Sequence, residues 1–450
     1  MRSTYKIIFL LAAVCILSAC KKFLDVKPDK KQVIPVSLED CQALLNNVDI
    51  LPIGPISGET SSDDYYLTDA NWNLLIPQNK EPYIWQSNAN VNITDWSGPY
   101  QKILVANQVL ETLKDINRAA NQQQWDKIKG AALLLRSINY FYLAELFGKP
   151  YDANTAGSDL GIPIRLTSSI DEETVRGNLQ QVYDRMIQDF TEAATLLPSE
   201  QPLTPLAKSV ASPVKATAYA GLARTFLIMG DYTKAYNNAD ASLKQYGALM
   251  DYKTLDPTAY YPIPRFNTEV IYEINGNGLA PLIYGLVAPE LYNLYSPGDL
   301  RKGLYFRDNG NGTFSFKGTY VPGALFLGFA TDEIYLIRAE CAARRGNVAV
   351  AMDDLNTLRQ NRWDNTYTPL VASNADEALK LIINERRREL PFRSLRWVDL
   401  RRLNKENSFA KILQRTLNGQ VYSLPPNDIR YTLLIPREVL ERVNIPQNPR

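Results

Sequence analysis

The chain contains no histidine, and that absence excludes more chemistry than any motif in it. Ser-His-Asp and Cys-His nucleophilic machinery, zinc sites with an imidazole ligand and imidazole proton shuttles are all ruled out. Cysteine is scarce too, with four residues in 450. Cys15 and Cys20 stand near the N-terminus, while Cys41 and Cys341 fall in helical-looking segments with no metal-ligand spacing. The latter two read as separately buried thiols, with one disulfide as the alternative in an oxidising compartment. Excess charge of either sign is also missing. With 49 basic residues against 48 acidic ones, no global field draws the chain to nucleic acid or anionic lipid. Beyond the N-terminus no stretch is apolar enough to span a membrane as a helix. Hydrolysis by two carboxylates survives these exclusions, because it needs only Asp and Glu.

What is present begins with an export signal. Arg2 and Lys6 precede an apolar run from Ile7 to Leu17, too short to cross a bilayer. Leu17-Ser18-Ala19-Cys20 follows, and this order resembles the bacterial lipobox. Residues 1–19 are therefore expected to be a lipoprotein signal peptide, with Cys20 acylated and the lipid as the membrane anchor. Loss of Arg2 and Lys6 leaves 47 basic against 48 acidic residues. Residues 20–36 are charged, proline-bearing and unpatterned, as a tether would be. Residues 37–450 are expected to form one domain.

That domain reads as mostly α. Ser37 precedes Asp40 by three residues, the signature of a capping box. Residues 51–95 lack a helical period and hold many turn formers, with Tyr65, Tyr66, Trp72, Tyr83 and Trp85 among them. A long loop of this sort is either functional or a cover over the core. Helical repeats are expected over about 96–250 and 331–404. Tyr100, Ile103, Leu104, Asn107, Leu110 and Leu113 define one helix face, and Ile128, Ala131, Leu135, Ile138, Tyr142 and Leu146 another. A third helix runs over 182–197. Tyr219, Leu222, Ala223, Phe226, Gly230, Tyr232, Ala235 and Ala239 fall at tetratricopeptide offsets. The set from Tyr335 through Gly346 to Leu355 repeats them. Between the repeats, residues 252–327 alternate like strands at 269–274. Asn309-Gly310-Asn311-Gly312 marks a hairpin flanked by strands over 304–308 and 313–317.

Each chemical motif has a plainer reading beside it. Ser212-Pro213-Val214-Lys215 matches an S-x-x-K element without its companions, and Ser212 as N-cap with Pro213 in the first turn explains the same letters. Asp308, Asn309 and Asn311 lack the EF-hand spacing. Asp353-Asp354 is read as a solvated pair. Asp63-Asp64 stands beside Tyr65-Tyr66, and carboxylates next to aromatic rings suit sugar binding, although a loop packing on its own helices accounts for the letters equally. Ile383 to Leu390, with Arg396 to Arg402, interleaves acids and arginines. Glu385–Arg388 and Arg386–Glu389 are expected to pair, with Leu395, Trp397 and Val398 packed inward, as an internal ion-pair network and not a nucleic-acid patch.

With these residues in view, the chain resembles the SusD/RagB family of outer-membrane nutrient-binding lipoproteins. The resemblance is carried by Cys20-Lys-Lys-Phe23-Leu24-Asp25, by Trp96, Tyr100 and Ala106-Asn107, and by Leu135-Arg136-Ser137, Tyr140 and Phe147-Gly148-Lys149-Pro150. It continues through Tyr335, Arg338-Ala339-Glu340, the Glu385–Leu390 and Arg396–Leu400 block, and the terminal Ile445-Pro446-Gln447-Asn448-Pro449. It implies a tetratricopeptide-like helical scaffold with a loop-rich half, a glycan or peptide ligand, no catalysis and no cofactor. It also implies a TonB-dependent barrel of the SusC type as partner, with this chain as its lid at the outer membrane. Departures are Ser137 in place of alanine, Arg393-Ser394 where many members carry Glu-Gly, and a basic Lys21-Lys22 where surface-export signals are often acidic. Ligand contacts are expected from the two loop-rich segments: Asp63, Asp64, Tyr65, Tyr66, Trp72 and Trp85 from the first, Tyr292 and Tyr295 from the second. A two-carboxylate glycoside hydrolase and a pure protein-interaction scaffold are the alternatives.

Overall fold

The computed structural model describes residues 35–47, 49–200, 212–276 and 282–450. The signal peptide, the lipid site at Cys20 and the tether as far as residue 34 lie outside the described residues. Among the described residues no helix is long and apolar enough to cross a membrane.

The first helix, α1 (Leu38–Leu45), starts with the expected reciprocal cap. The Asp40 amide donates to Ser37 Oγ and the Ser37 amide to Asp40 Oδ2, both at 3.1 Å. The long helices α2 (Thr94–Thr112) and α3 (Gln122–Phe147) pack on one another, and α3 packs on α4 (Leu179–Leu196). From Gly130 to Phe147 α3 is buried on every side, and the polar groups this encloses are paired, Arg136 with Asp189 and Glu145 with the Tyr183 hydroxyl. It stops at Gly148, whose amide still reaches the Ala144 carbonyl (2.9 Å) before Pro150.

Two helix hairpins continue the stack, α5 (Lys215–Met229) with α6 (Tyr232–Gln245), and α7 (Thr331–Arg344) with α8 (Val348–Gln360). Their turns use the same device. Gly230 (φ +78°) and Gly346 (φ +79°) take a left-handed conformation that a side chain disfavours. The next residue then caps the following helix, Asp231 accepting from Lys234 and Asn347 from Val350. Gly221 serves close approach instead, since a Cβ there would stand 2.5 Å from the Phe190 ring. Helices α6 and α7 pack together, so the repeats share one core, and a second cluster forms where α7 and α8 meet α9 (Ala375–Glu389). Cys41 and Cys341 are both free and buried, as expected of small core residues.

Four expectations need correction. Ser212 does not cap α5. The Lys215 amide is taken by the Pro198 carbonyl (2.8 Å), which holds the chain extended through Val214, so the helix starts at Lys215 with Thr217 Oγ1 accepting from the Val214 amide. Asp354 is not solvated but buried against Arg338 (2.6 Å), and only Asp353 faces water. Residues 51–95 are not one irregular loop. Ser57–Ser61, Asp69–Asn73 and Pro77–Tyr83 are helical turns too short to leave a period in the sequence. The hairpin at Asn309–Gly312 is present, but its strands are Phe306–Asp308 and Phe314–Phe316, because Arg301–Tyr305 is helical. Val270–Tyr272 pairs antiparallel with Phe329–Ala330, seating the expected strand against the start of α7.

Candidate functional site

The loop-rich face is built by pairing distant segments. Tyr65–Tyr66 pairs antiparallel with Leu286–Val287, and the Ala288 amide donates to the Asp64 carbonyl (2.9 Å). A hairpin of Leu413–Leu417 and Gln420–Leu424 closes the other side. Its Asn418 amide donates to Asp69 Oδ1 (2.8 Å) and the Asn418 side-chain amide to Asn73 Oδ1 (3.2 Å). Sequence reasoning missed this hairpin, although Asn418-Gly419, with φ of +48° and +78°, is the turn chemistry a tight hairpin calls for. Its alternating burial, Leu413, Arg415 and Leu417 in and Gln414 and Thr416 out, is the period of a half-buried strand.

The acidic pair is held by cations, with Asp64 buried and Asp63 keeping a small exposed edge. Asp63 accepts from Arg396 Nε (2.6 Å), Arg387 Nη1 (2.9 Å) and Lys411 Nζ (2.9 Å), and Lys411 also pairs with the exposed Glu290. Burial pushes the Asp63 carboxyl up, but Arg396 and Arg387 outweigh it and hold the group well below the usual carboxylate range. Asp64 is buried, and its burial raises it despite Arg387. Nearby, Glu59 is fully buried. Desolvation, with the charge of Asp64, pushes it up to about 8 against the opposing Ser394 amide and Ser62 hydroxyl. Asp63 and Asp64 thus share one cationic clamp, whereas two-carboxylate hydrolysis needs acids facing one another across a cleft.

Most of the aromatic candidates are structural. Arg415 reaches in from the missed hairpin and lies over the rings of Tyr83 (3.5 Å), Trp85 (4.5 Å) and Tyr65 (5.6 Å), while donating to the carbonyls of Tyr83 and Ser62. Tyr65 also donates to the Thr60 carbonyl (2.9 Å) and Trp85 to the Ser61 carbonyl (2.9 Å). Trp72 packs its ring against Tyr83 (5.7 Å). Tyr295 is buried and donates to the Arg388 carbonyl (2.7 Å). Asp64, Tyr65, Trp72, Trp85 and Tyr295, expected as ligand contacts, are thus all buried. Their faces are consumed by the core and by Arg415, because rings beside a buried cation and unpaired carbonyls satisfy both at once.

The remaining candidates reach the surface. Tyr66 and Tyr292 are half-buried, and Tyr292 stacks on Phe314 at 3.7 Å with planes 12° apart. Residues that the sequence reading did not single out join them. Tyr284 (42% exposed) and Ile283 (64%) lie beside the helical turn carrying Asn71, whose side-chain amide donates to the Tyr284 carbonyl (3.0 Å), and Leu74 and Ile76 are exposed just beyond it. A depression of about 330 Å³ brings Asp63, Tyr65, Tyr66 and Trp85 together with Glu290 and Lys411, and Gln414 and Thr416 line it too. The face thus offers exposed rings, the acids Glu290 and Asp63, the ammonium of Lys411 and neutral hydrogen-bonding groups, the set that suits a polyhydroxylated ligand.

Behind this face lies the charged block that stood out in the sequence. Helix α9 and helix α10 (Leu395–Leu403) carry it. Glu385 pairs with Arg388 (2.6 Å) as expected, and also with Arg301 and Arg359. Glu389 does not meet Arg386. It bonds Arg301 (2.6 Å) and Arg362 (2.7 Å), while Arg386 turns to Asp399 (2.8 Å). Leu395, Trp397 and Val398 are buried. Glu269, Asp332 and Glu389 bring carboxylate oxygens within 4.8 Å of one another, a geometry that could hold a cation. Arg362, Arg393 and the Tyr320 hydroxyl already fill it. The block is the internal ion-pair network that binds the loop-rich half to the repeats.

Fold and site together define a tetratricopeptide-like helical scaffold with a loop-built second half that presents a shallow polar and aromatic face. A family model described as starch-binding and associating with the outer membrane matches residues 22–227, and the SusD family model matches residues 331–433. The SusD-like protein P2 of Formosa agariphila is 25% identical, over 69% of this chain and 72% of its own. A SusD superfamily structure from Bacteroides thetaiotaomicron superposes with a TM-score of 0.74 at 22% identity, covering 92% of this chain and all of that one. A SusD-like carbohydrate-binding protein from Bacteroides vulgatus gives 0.65 at 19% identity, covering 88% and 94%. The chain belongs to the SusD family.

The motif residues behind the resemblance hold the scaffold together. Arg136 forks onto Asp189 (2.7 and 2.8 Å) and reaches Asn107 Oδ1 (2.8 Å), and Asn107 in turn donates to the carbonyls of Arg165 and Thr167. Asn448 donates to the carbonyls of Phe147 and Leu433, stapling the terminal segment to the end of α3. Ser394 takes φ +55°, a left-handed conformation that glycine adopts without cost and that a side chain disfavours.

Proposed function

We propose that this protein captures a carbohydrate on the face around Tyr66, Tyr284 and Tyr292 and passes it to a TonB-dependent barrel of the SusC type, performing no chemistry itself. Acylation at Cys20 anchors it to the outer membrane, with the body at the cell surface. The single observation that carries the reading is the surface that Tyr284 and Tyr66 keep free on the face holding the Glu290–Lys411 pair. Ring faces stack on the C–H faces of a sugar while carboxylate and ammonium take its hydroxyls. The carbohydrate-binding description of the Bacteroides vulgatus relative and the starch-binding description of the family support the same ligand class. Residues 37–450 act as one domain in this reading, so ligand face and scaffold move together.

Calorimetric titration of the chain from Lys21 onward against glycan and peptide panels tests it. A glycan should bind, and Tyr284→Ala with Tyr66→Ala should weaken it about tenfold or more, as the loss of two stacking contacts predicts. Unchanged affinity in that double variant removes the site from this face, and binding of peptides alone replaces the ligand class. Co-purification of the barrel from detergent-solubilised outer membranes tests the partner.

A further inference from the structure

A second cleft lies away from the loop-rich face, against the outer side of α2. It measures about 430 Å³ and is lined by Trp96, Tyr100 and Leu104 of α2 together with Ile170, Val439 and Val443. Leu104 belongs to the apolar stripe of α2, yet it is exposed, and Ile170, which lines the same cleft, is 85% exposed. Apolar groups gathered around a concavity mark a surface awaiting a partner.

We propose that the partner is the chain's own leader, with Phe23, Leu24 and Val26 seated in this cleft. The first ground is where the leader joins the body. The carbonyl of Pro35 accepts from Thr112 Oγ1 (3.3 Å) at the end of α2, and the preceding residue, Glu111, holds the amide of Ser168 (3.2 Å) on the loop that walls the cleft. The chain therefore enters at the cleft's edge. The second ground is length. Phe23 lies twelve positions before Pro35, a stretch that spans up to about 40 Å, whereas Trp96 and Thr112 are only about 24 Å apart along the helix. The third is composition. Residues 21–32 are charged or polar except Phe23, Leu24, Val26 and Pro28, so the apolar residues are grouped where an apolar cleft can take them. A tether this short keeps the segment at roughly millimolar effective concentration, so even a weak contact is filled. The contact gives the Phe23-Leu24-Asp25 motif a physical task that the ligand face does not supply. With Cys20 acylated, seating Phe23 leaves only Lys21-Lys22 as free leash between lipid and body. It therefore sets how the protein stands on the membrane.

The test places benzoylphenylalanine at position 23 of the full chain, including Cys20, in detergent, and maps the photoproducts by mass spectrometry. Products within one chain at Tyr100, Leu104, Ile170 or Val443 are expected. Leu104→Glu combined with Ile170→Glu, both at exposed positions that leave the fold intact by circular dichroism, should cut their yield about tenfold by removing apolar contact area. Products elsewhere on the body, products only between chains (which would assign the cleft to a second copy) or no protein product at all would each overturn the proposal.

Discussion

The guanidinium of Arg415 lies 3.5 Å over the ring of Tyr83, and Trp85 flanks the same cation at 4.5 Å. The aromatic residues of the first loop-rich segment are thus organised around an arginine from a hairpin more than 300 positions further along the chain. Arg415→Ala should leave the carbonyls of Tyr83 and Ser62 unpaired and lower stability by about 3 kcal/mol, read by urea unfolding. Arg415→Lys should recover little, because an ammonium cannot stack flat between rings while donating to two carbonyls. Recovery to within a few tenths of wild-type stability would show that charge alone matters there.

Glu59 makes stability depend on pH in the neutral range. Burial and the Asp64 charge raise it from 4.5 to about 8, so the folded chain binds this proton more tightly than the unfolded chain does. Between those two values the folded state holds more protons, and stability falls as pH rises. Glu59→Gln removes that slope. Its stability relative to wild type should improve by at least about 1 kcal/mol between pH 5 and pH 8, measured by denaturant melts at each pH. Parallel pH profiles for the two proteins would contradict the assignment.

Asp63 acts in the opposite direction. Arg396, Arg387 and Lys411 outweigh its burial and keep it ionised well below 3.8. Its contribution is present above that value and is lost as pH falls toward the folded-state value. Asp63→Asn leaves three cations facing a neutral group and should cost about 3 kcal/mol at pH 7, with the deficit shrinking below pH 4. Thermal unfolding at pH 7 and pH 3 checks both halves, and a deficit that stays constant with pH would exclude the clamp as its source.

Ser394 sits at φ +55°, and its hydroxyl finds no partner in the interior. Its amide, which donates to Glu59 Oε2 (2.8 Å), is unaffected by the side chain. Ser394→Gly should therefore raise stability by about 0.5–1 kcal/mol, as relief of the left-handed conformation exceeds the added chain entropy. A melting temperature at or below that of wild type would mean that the hydroxyl has a role in solution.

The helical half was legible because its signals are local. Ser37 and Asp40 stand at capping distance, Gly230 and Gly346 mark the turns, and the small residues of the two repeats recur at fixed offsets. A 3.6-residue period over fifteen or more residues leaves little room for another structure. The site was less legible. Tyr65, Tyr66, Trp72 and Trp85 look alike in sequence, and only Tyr66 keeps a free surface, because the deciding partner of Tyr65 and Trp85 is Arg415. Glu389 was expected to meet Arg386 three residues before it, but Arg301 and Arg362 reach it from other elements and win on geometry, both fully buried and both forked onto carboxylates.

By itself, the sequence determined the absence of imidazole chemistry, the helical repeats and the ordered motifs of the SusD family. Tertiary structure alone decided which aromatic rings remain available and which carboxylates are neutralised. It also decided that the apolar stripe of α2 would be left partly bare beside the entry point of the leader. Periodicity and capping are set by neighbours within a few residues, but the burial of a ring or a charge depends on which distant segment folds over it.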